Sequence, residues 1–308
     1  MKNKILVIAG PTAVGKTNLS LKLAQQLNGE IVSADSMQIY KGLDIGTAKP
    51  TKDEMGIVAH HMIDICHPSE RFSVAQYVKL ADSVISDIFS RGKTPIVVGG
   101  TGLYIDNLVY DNDFGELGID MRIRSELYKK TEIMGGEKML LELQGIDPQY
   151  ASKLHSNDIK RIVHALEIYY STGKTQTEII ANSRTRPPRY PFLYSVLTNS
   201  SRANLYERID NRVDVMLKSG LLDEAEWVIN SGWYSNSTAS QAIGYKEFEP
   251  YFKGNSDLEV CISVLKQHSR NYAKRQLTWF RHRPEADFIF MDENADHVSY
   301  IIEKFEAV

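Results

Sequence analysis

The sequence predicts an α/β fold: a parallel sheet flanked by helices, interrupted by a helical insertion. Three observations carry this. Over about the first hundred residues, short apolar runs alternate with amphipathic stretches. The runs are continuous rather than alternating, as in strands covered on both faces. From Asp120 to about Thr185 the strand signal disappears, and it returns at Phe192 to Leu197.

Taken in order, Ile5 to Ala9 reads as the first strand. Leu19, Leu23 and Leu27 follow at helical spacing, and Asn28-Gly29 stops that helix. Ile31 to Ala34 is a second strand. Ser73 is placed to cap a helix with Val74, Tyr77, Val78, Ala81, Ile85 and Ile88 on one face, ended by Gly92. Pro95 to Val98 is a third strand, closed by Gly99-Gly100. The pattern changes near Asp111. Leu154 to Asp158 is a loop opening a helix whose apolar face is Ile159, Ile162, Val163, Leu166 and Tyr170. Thr185 to Arg189 is a loop, and the stretch from Leu205 to Trp279 is helical again. This divides the chain into a core of residues 1–112 and 191–308 and a helical insertion domain of residues 113–190.

Composition narrows the function. The 308 residues carry a net charge of -3, with 43% hydrophobic and 24% charged, which suits a globular protein of about two domains. Without global basicity, any nucleic-acid site must be a local patch. Two cysteines, Cys66 and Cys261, are too few for a disulfide scaffold or a four-cysteine zinc site. No apolar run approaches the ~20 residues of a membrane span, and Ile5 to Ala9 is too short for a signal-peptide core. A cytoplasmic, monomeric enzyme is expected.

The chemistry starts at Gly10-Pro11-Thr12-Ala13-Val14-Gly15-Lys16-Thr17, a full G-x-x-x-x-G-K-[ST] string between an apolar strand and an amphipathic helix. The glycines let backbone amides turn toward an anion, and the helix start adds partial positive charge. Lys16 neutralises phosphate oxygens and the Thr17 hydroxyl can hold Mg²⁺. The fold class is therefore a P-loop NTPase-like parallel sheet core with a helical insertion domain. Such a loop recognises a di- or triphosphate, ATP included, and does not specify what is attached. Asp35, just after the second strand, lies where α/β sheets bind ligands. It could contact a metal, act as a base, or simply serve a turn. Phe288 to Asp292 reads as a strand with a solvated end. Arg208 and Arg212 share a helix face, with pairing to Glu207 or Asp210 as the alternative. His60-His61 reads as structural. Lys266 to Arg283 holds six cations, no acid, and the aromatics Tyr272, Trp279 and Phe280. It reads either as an RNA-binding helix or as a solvated charged helix with an aromatic core face.

Several longer strings closely resemble the bacterial tRNA dimethylallyltransferase (tRNA isopentenyltransferase, IPP transferase) family. They are the P-loop, Ser33 to Tyr40, Asp44 to Pro50, Gly99 to Tyr104, Ala165-Leu166-Glu167, Gln241 to Glu247 and Arg270 to Arg281. The resemblance spans nearly the whole chain. It implies transfer of a dimethylallyl group from dimethylallyl diphosphate to N6 of adenosine 37 in tRNAs reading codons that begin with U, with diphosphate released. It implies that the loop holds the donor's diphosphate, that Lys16, Mg²⁺ and Arg212 stabilise the leaving group, that Asp35 acts on the adenine amine and that Thr101 sits near the bridging oxygen. It further implies tRNA contacts at Asp35, Ser36, Met37 and Gln38, at Thr101 and Arg122, at Ile159, Lys160, Arg161, Ile162 and Val163, and at Gln241, Ala242, Ile243, Gly244, Tyr245 and Lys246. Arg270, Lys274 and Arg275 are expected phosphate contacts, and the insertion is expected to grip the anticodon stem-loop. His164 stands where many members have Arg. A kinase using ATP and a non-catalytic RNA-binding ATPase are the competing classes.

Overall fold

The structure, a computed structural model, describes residues 3–110, 121–183, 187–234 and 238–308. The change of pattern near Asp111, the 112/113 boundary and the Thr185-Arg186 part of the predicted loop lie outside them. The described chain forms two compact units, Met1–Val109 with Tyr190–Val308, and Tyr110–Arg189.

The first unit is a six-stranded parallel sheet covered by helices. Its strands are β1 (Ile5–Ala9), β2 (Gly29–Ser33), β3 (His60–His61), β4 (Thr94–Gly99), β5 (Phe192–Thr198) and β6 (Asp287–Phe290), in the spatial order β3-β2-β4-β1-β5-β6. β1 pairs with β4 through Leu6 to Ala9 and with β5 through Ile5 to Ala9. All five β1 residues are buried, the expected state of a continuous apolar run at the centre of a parallel sheet. The strand expected third is therefore fourth in the chain, because His60 and His61 form a two-residue edge strand on β2. Both make local contacts, and His60 also lines the cleft described below. His60 Nδ1 lies 2.7 Å from the Val58 carbonyl, and His61 Nε2 lies 2.7 Å from the buried Glu30 carboxylate.

The helices are, in order, α1 (Lys16–Gln26), α2 (Lys52–Ile57), α3 (Val74–Ser90), α4 (Gly102–Val109), α5 (Met121–Met134), α6 (Gly136–Ile146), α7 (Pro148–Ala151), α8 (Ile159–Thr172), α9 (Gln176–Ser183), α10 (Arg202–Lys218), α11 (Leu221–Asn230), α12 (Glu249–Phe252), α13 (Leu258–Phe280) and α14 (His297–Glu306). Ser73 caps α3 reciprocally with Gln76, and Tyr77, Ala81, Ile85 and Ile88 are its buried stripe. Helix α10 is tied to α13 by ion pairs Asp214–Lys266 at 2.6 Å and Asp210–Arg270 at 2.6 Å. Asp292, just past β6, accepts hydrogen bonds from Ser200 N, Ser200 Oγ and Asn204, which holds its carboxyl down at about 2. It is a strand-end residue that fastens the start of α10.

The second unit contains α5 to α9 and no strand among the described residues. Its core is Leu127, Met139, Leu143, Ala151, Ile162, Val163, Ala165 and Leu166. Asp147 organises it locally, accepting from Tyr150 N to start α7 and from Thr177 N and Oγ1 to start α9. Buried Glu167 accepts from Arg124 at 2.6 Å, and His164 lies 3.4 Å from the same oxygen.

Candidate active site

The phosphate cradle is built where β1 ends. Gly10 has φ 146°, and a Cβ there would fall 2.5 Å from the Leu197 carbonyl oxygen. Gly15 has φ 104°, and Ala13 is also left-handed at φ 64°. This turns the loop onto the start of α1, where no side chain caps the exposed amides. Uncapped helix-start amides are an anion site. Lys16 Nζ folds back to donate to the carbonyls of Gly10 (2.9 Å) and Pro11 (2.7 Å). Those two residues therefore serve the lysine through their carbonyls.

A cleft of about 890 Å³ opens over this loop. It is lined by Thr12 to Thr17, by Asp35, Ser36, Met37 and Gln38 beyond β2, by Arg208 and Arg212 on α10, by Gln241 to Gly244 and Lys246, and by Tyr272, Arg275 and Gln276 on α13. Burial and the Arg212 charge push the Lys16 ammonium down to about 7, against the pull of Asp35. Arg212 is itself lowered by burial and raised by Asp35. Neither Arg208 nor Arg212 is paired with Glu207 or Asp210 among the described residues. Arg208 Nε instead donates to Ala13 O at 2.9 Å, and Asp210 is taken by Arg270.

Asp35 serves a turn and faces the cleft at once. Its Oδ1 accepts from Met37 N at 2.9 Å and Gln38 N at 3.4 Å, while Oδ2 has no hydrogen-bond partner among the described residues. Thr101 does not line the cleft. Its Oγ1 accepts from Ser36 N at 3.0 Å and reaches Ser36 Oγ at 3.3 Å, bracing the segment that carries Asp35. Tyr272 joins this group. Its hydroxyl is within hydrogen-bonding reach of Thr101 and Gln276, and burial and the Asp35 charge keep it protonated. Gln38 is held rigidly: its Oε1 accepts from Ser33 Oγ, and its Nε2 donates to the Thr47 and Ala48 carbonyls.

Sequence reasoning overlooked two residues that hold the cleft together. Buried Gln276 accepts from Thr12 N (3.0 Å) and donates to Gly100 O (3.0 Å), tying the P-loop to the end of β4. The Thr12 amide is thus already committed. Glu224 on α11 accepts from Asp44 N, Ile45 N, Gly46 N and the Tyr245 hydroxyl, fixing the turn beside Gln38. Gln276→Leu strands a buried amide and a buried carbonyl. It is expected to lower unfolding free energy by about 1–3 kcal/mol in urea titration.

Several expected RNA contacts need correction. Ile162 and Val163 are core residues of the helical unit, and Tyr245 is fully buried with its hydroxyl on Glu224. Ala242 belongs to a buried cluster as well. Arg270 is clamped by both oxygens of Asp210. Burial or an internal partner removes these side chains from an RNA surface. Ile159 is half-buried against its unit's core, whereas Arg122, Lys160, Arg161, Gln241, Lys246, Lys274 and Arg275 are exposed.

Thr17 lines the cleft, and its hydroxyl has no hydrogen bond among the described residues. Those residues also contain no group of three or more His, Cys, Asp or Glu able to hold a metal. A cation here would take most of its ligands from phosphates and water, which fits Mg²⁺. No helix among the described residues is long and apolar enough to cross a membrane.

Comparison with known proteins agrees with this geometry. Residues 38–283 match the family model described as IPP transferase, and residues 3–65 match one described as isopentenyl transferase. A tRNA dimethylallyltransferase from Exiguobacterium sp. is 44% identical over 97% of this chain and 94% of its own. One from Acetivibrio thermocellus is 44% identical over 94% of this chain and 93% of its own. The crystal structure of the tRNA isopentenylpyrophosphate transferase from Bacillus halodurans is similar at TM-score 0.72 and 43% identity, covering 98% of this chain and 94% of that one. A eukaryotic dimethylallyltransferase acting on tRNA is similar at TM-score 0.83 and 33% identity, covering 98% of this chain and 78% of that one. The cradle, the carboxylate beside it and these matches along almost the full length lead to one conclusion: the chain belongs to the IPP transferase family.

Proposed function

We propose that the chain is a prenyltransferase acting on tRNA, moving a dimethylallyl group from dimethylallyl diphosphate to N6 of adenosine 37 and releasing diphosphate. The observation that carries this reading is a carboxylate with one uncommitted oxygen, Asp35, lining the same cleft as an anion cradle. The N6 lone pair forms a bond to C1 of the donor while the C1–O bond breaks. Negative charge grows on the departing diphosphate. Lys16, Arg208, Arg212 and the α1 amides face that charge, a preorganised electrostatic stabilisation. Asp35 Oδ2 takes the amine proton. Thr101, Ser36 and Tyr272 hold the Asp35 segment, and the role of Thr101 near the leaving oxygen rests on the family resemblance. Thr17 would hold Mg²⁺ together with the diphosphate, adding positive charge at the leaving group.

The target adenine must leave its stack to reach Asp35, which loop RNA permits. Ser36, Met37 and Gln38 line the place where it would enter. Exposed Lys246 and Arg275 on the α/β unit, and Arg122, Lys160 and Arg161 on the helical unit, would take phosphates of the anticodon stem-loop.

Nucleoside mass spectrometry after incubation with unmodified tRNA and the donor tests the reading. N6-dimethylallyladenosine at position 37 is expected, and an unchanged nucleoside profile would refute it. Proton linkage gives a second test. Lys16 is half-neutral near pH 7 in the free protein, and a bound diphosphate restores its charge. Donor binding at pH 8 should therefore take up protons, and affinity should fall as pH rises through about 7. Calorimetry in buffers of different ionisation enthalpy reads the uptake directly.

A further inference from the structure

We infer that the face of α13 around Trp279 is a stacking platform for an RNA base flanking the target adenosine, next to Lys274 and Arg275, the phosphate contacts that the family resemblance already implies. The inference rests on the tRNA-prenylating reading and adds a binding surface to it. Trp279 is held by its edge yet stays 38% exposed. Its Nε1 donates to Asp106 on α4 at 2.6 Å. Its ring lies so close to Gly102 that a Cβ there would come within 2.2 Å of Cδ1. Arg283 lies over the ring, 5.7 Å from its centroid, and pairs with the same Asp106 at 2.5 Å. An indole fixed this firmly has little rotamer freedom to lose when a base stacks on it.

The surroundings suit a nucleic-acid strand. Asn271, Lys274, Arg275, Thr278, Trp279 and His282 line one groove of about 500 Å³ along α13. The cations between Lys266 and Arg283 differ in their partners. Lys266, Arg270 and Arg283 are neutralised by Asp214, Asp210 and Asp106. Lys274 and Arg275 have no carboxylate partner among the described residues, so their charge is available to phosphates. The groove also adjoins the cleft, because Arg275 lines both. A strand leaving the cleft past Arg275 meets Trp279 in that groove. Sequence-tolerant stacking on aromatics combined with backbone cations is a general mode of single-strand binding.

The test measures binding of a labelled anticodon stem-loop RNA. Trp279→Ala is expected to weaken the Kd about tenfold or more, with donor affinity unchanged. Trp279→Phe, which keeps an aromatic face but loses the bond to Asp106, should recover most of the affinity. If Trp279→Phe is as weak as Trp279→Ala, the edge contact matters and stacking is refuted. A variant with Trp227 and Trp233 both changed to Phe leaves Trp279 as the single tryptophan. Its emission should be quenched when the RNA binds, and unquenched emission with RNA bound would overturn the inference even if Trp279→Ala fails to fold. Failure of the wild-type protein to prenylate tRNA would count against the functional reading itself, whereas prenylation with wild-type RNA affinity in Trp279→Ala would sink the platform alone.

Discussion

Asp35→Asn is expected to lower the turnover number for prenyl transfer by roughly 10²–10⁴, the range for losing a positioned general base, while the donor binds as before or slightly more tightly. The geometry makes this substitution informative. Oδ1 already accepts from Met37 N and Gln38 N, and an Asn side-chain oxygen can keep both bonds. The turn carrying Ser36 to Gln38 then survives, and what is removed is the charge and basicity of the other oxygen. Asp35 also opposes the Lys16 and Arg212 charges. Removing it leaves the cradle more positive, so donor affinity should not fall. Stopped-flow or quenched single-turnover assays, with donor binding measured separately, distinguish the two quantities. A parallel collapse of donor binding and rate would make Asp35 a structural or metal-linked residue.

Lys16→Ala is expected to reduce kcat/KM for the donor by roughly 10²–10³, comparable to losing one oxyanion-stabilising group. Lys16 is the cradle's own cation, and it is held over the loop by the Gly10 and Pro11 carbonyls. In the variant those carbonyls lose their donor and the cradle loses its cation. The loss should appear in both donor affinity and rate, because the diphosphate gains negative charge as the C1–O bond breaks. Lys16→Arg should rescue little, since a planar fork does not replace a point donor between two carbonyls. Steady-state kinetics with varied donor at saturating tRNA measure this, and unaltered kcat/KM would remove Lys16 from the site.

The parts of the fold legible in the sequence were those written locally. The central strand is a continuous apolar run, and the cradle needs its residues contiguous, so Gly10 to Thr17 could be read directly. The stripe of α3 and its Ser73 cap are equally local. Other features depend on partners distant in sequence. Gln276 meets Thr12 across 264 residues, and no periodicity marks it. Glu224 looks like a solvated helix acid until four donors converge on it. The run Lys266 to Arg283 is acid-free, and its sequence is compatible with either an RNA-binding helix or a solvated charged one. Asp210 and Asp214 on α10, with Asp106 on α4, neutralise three of its six cations. Edge strand β3 is two histidines long and has no apolar signature. Strings such as Ile159 to Val163 and Gln241 to Lys246 mark where the family's surface lies, but helical and turn geometry sends alternate side chains into the core. Residue-level contact therefore needed burial to settle Ile162, Val163 and Tyr245.

The central claim is that the cradle presents a diphosphate leaving group, so that carbon rather than phosphorus is attacked. Donor carrying ¹⁸O in the C1–O–P bridge, reacted with unmodified tRNA, follows the bond that breaks. The account predicts that all the ¹⁸O leaves with the diphosphate while the prenyl carbon appears on the RNA. Recovery of ¹⁸O in dimethylallyl alcohol, with the diphosphoryl group transferred to an acceptor, would contradict it.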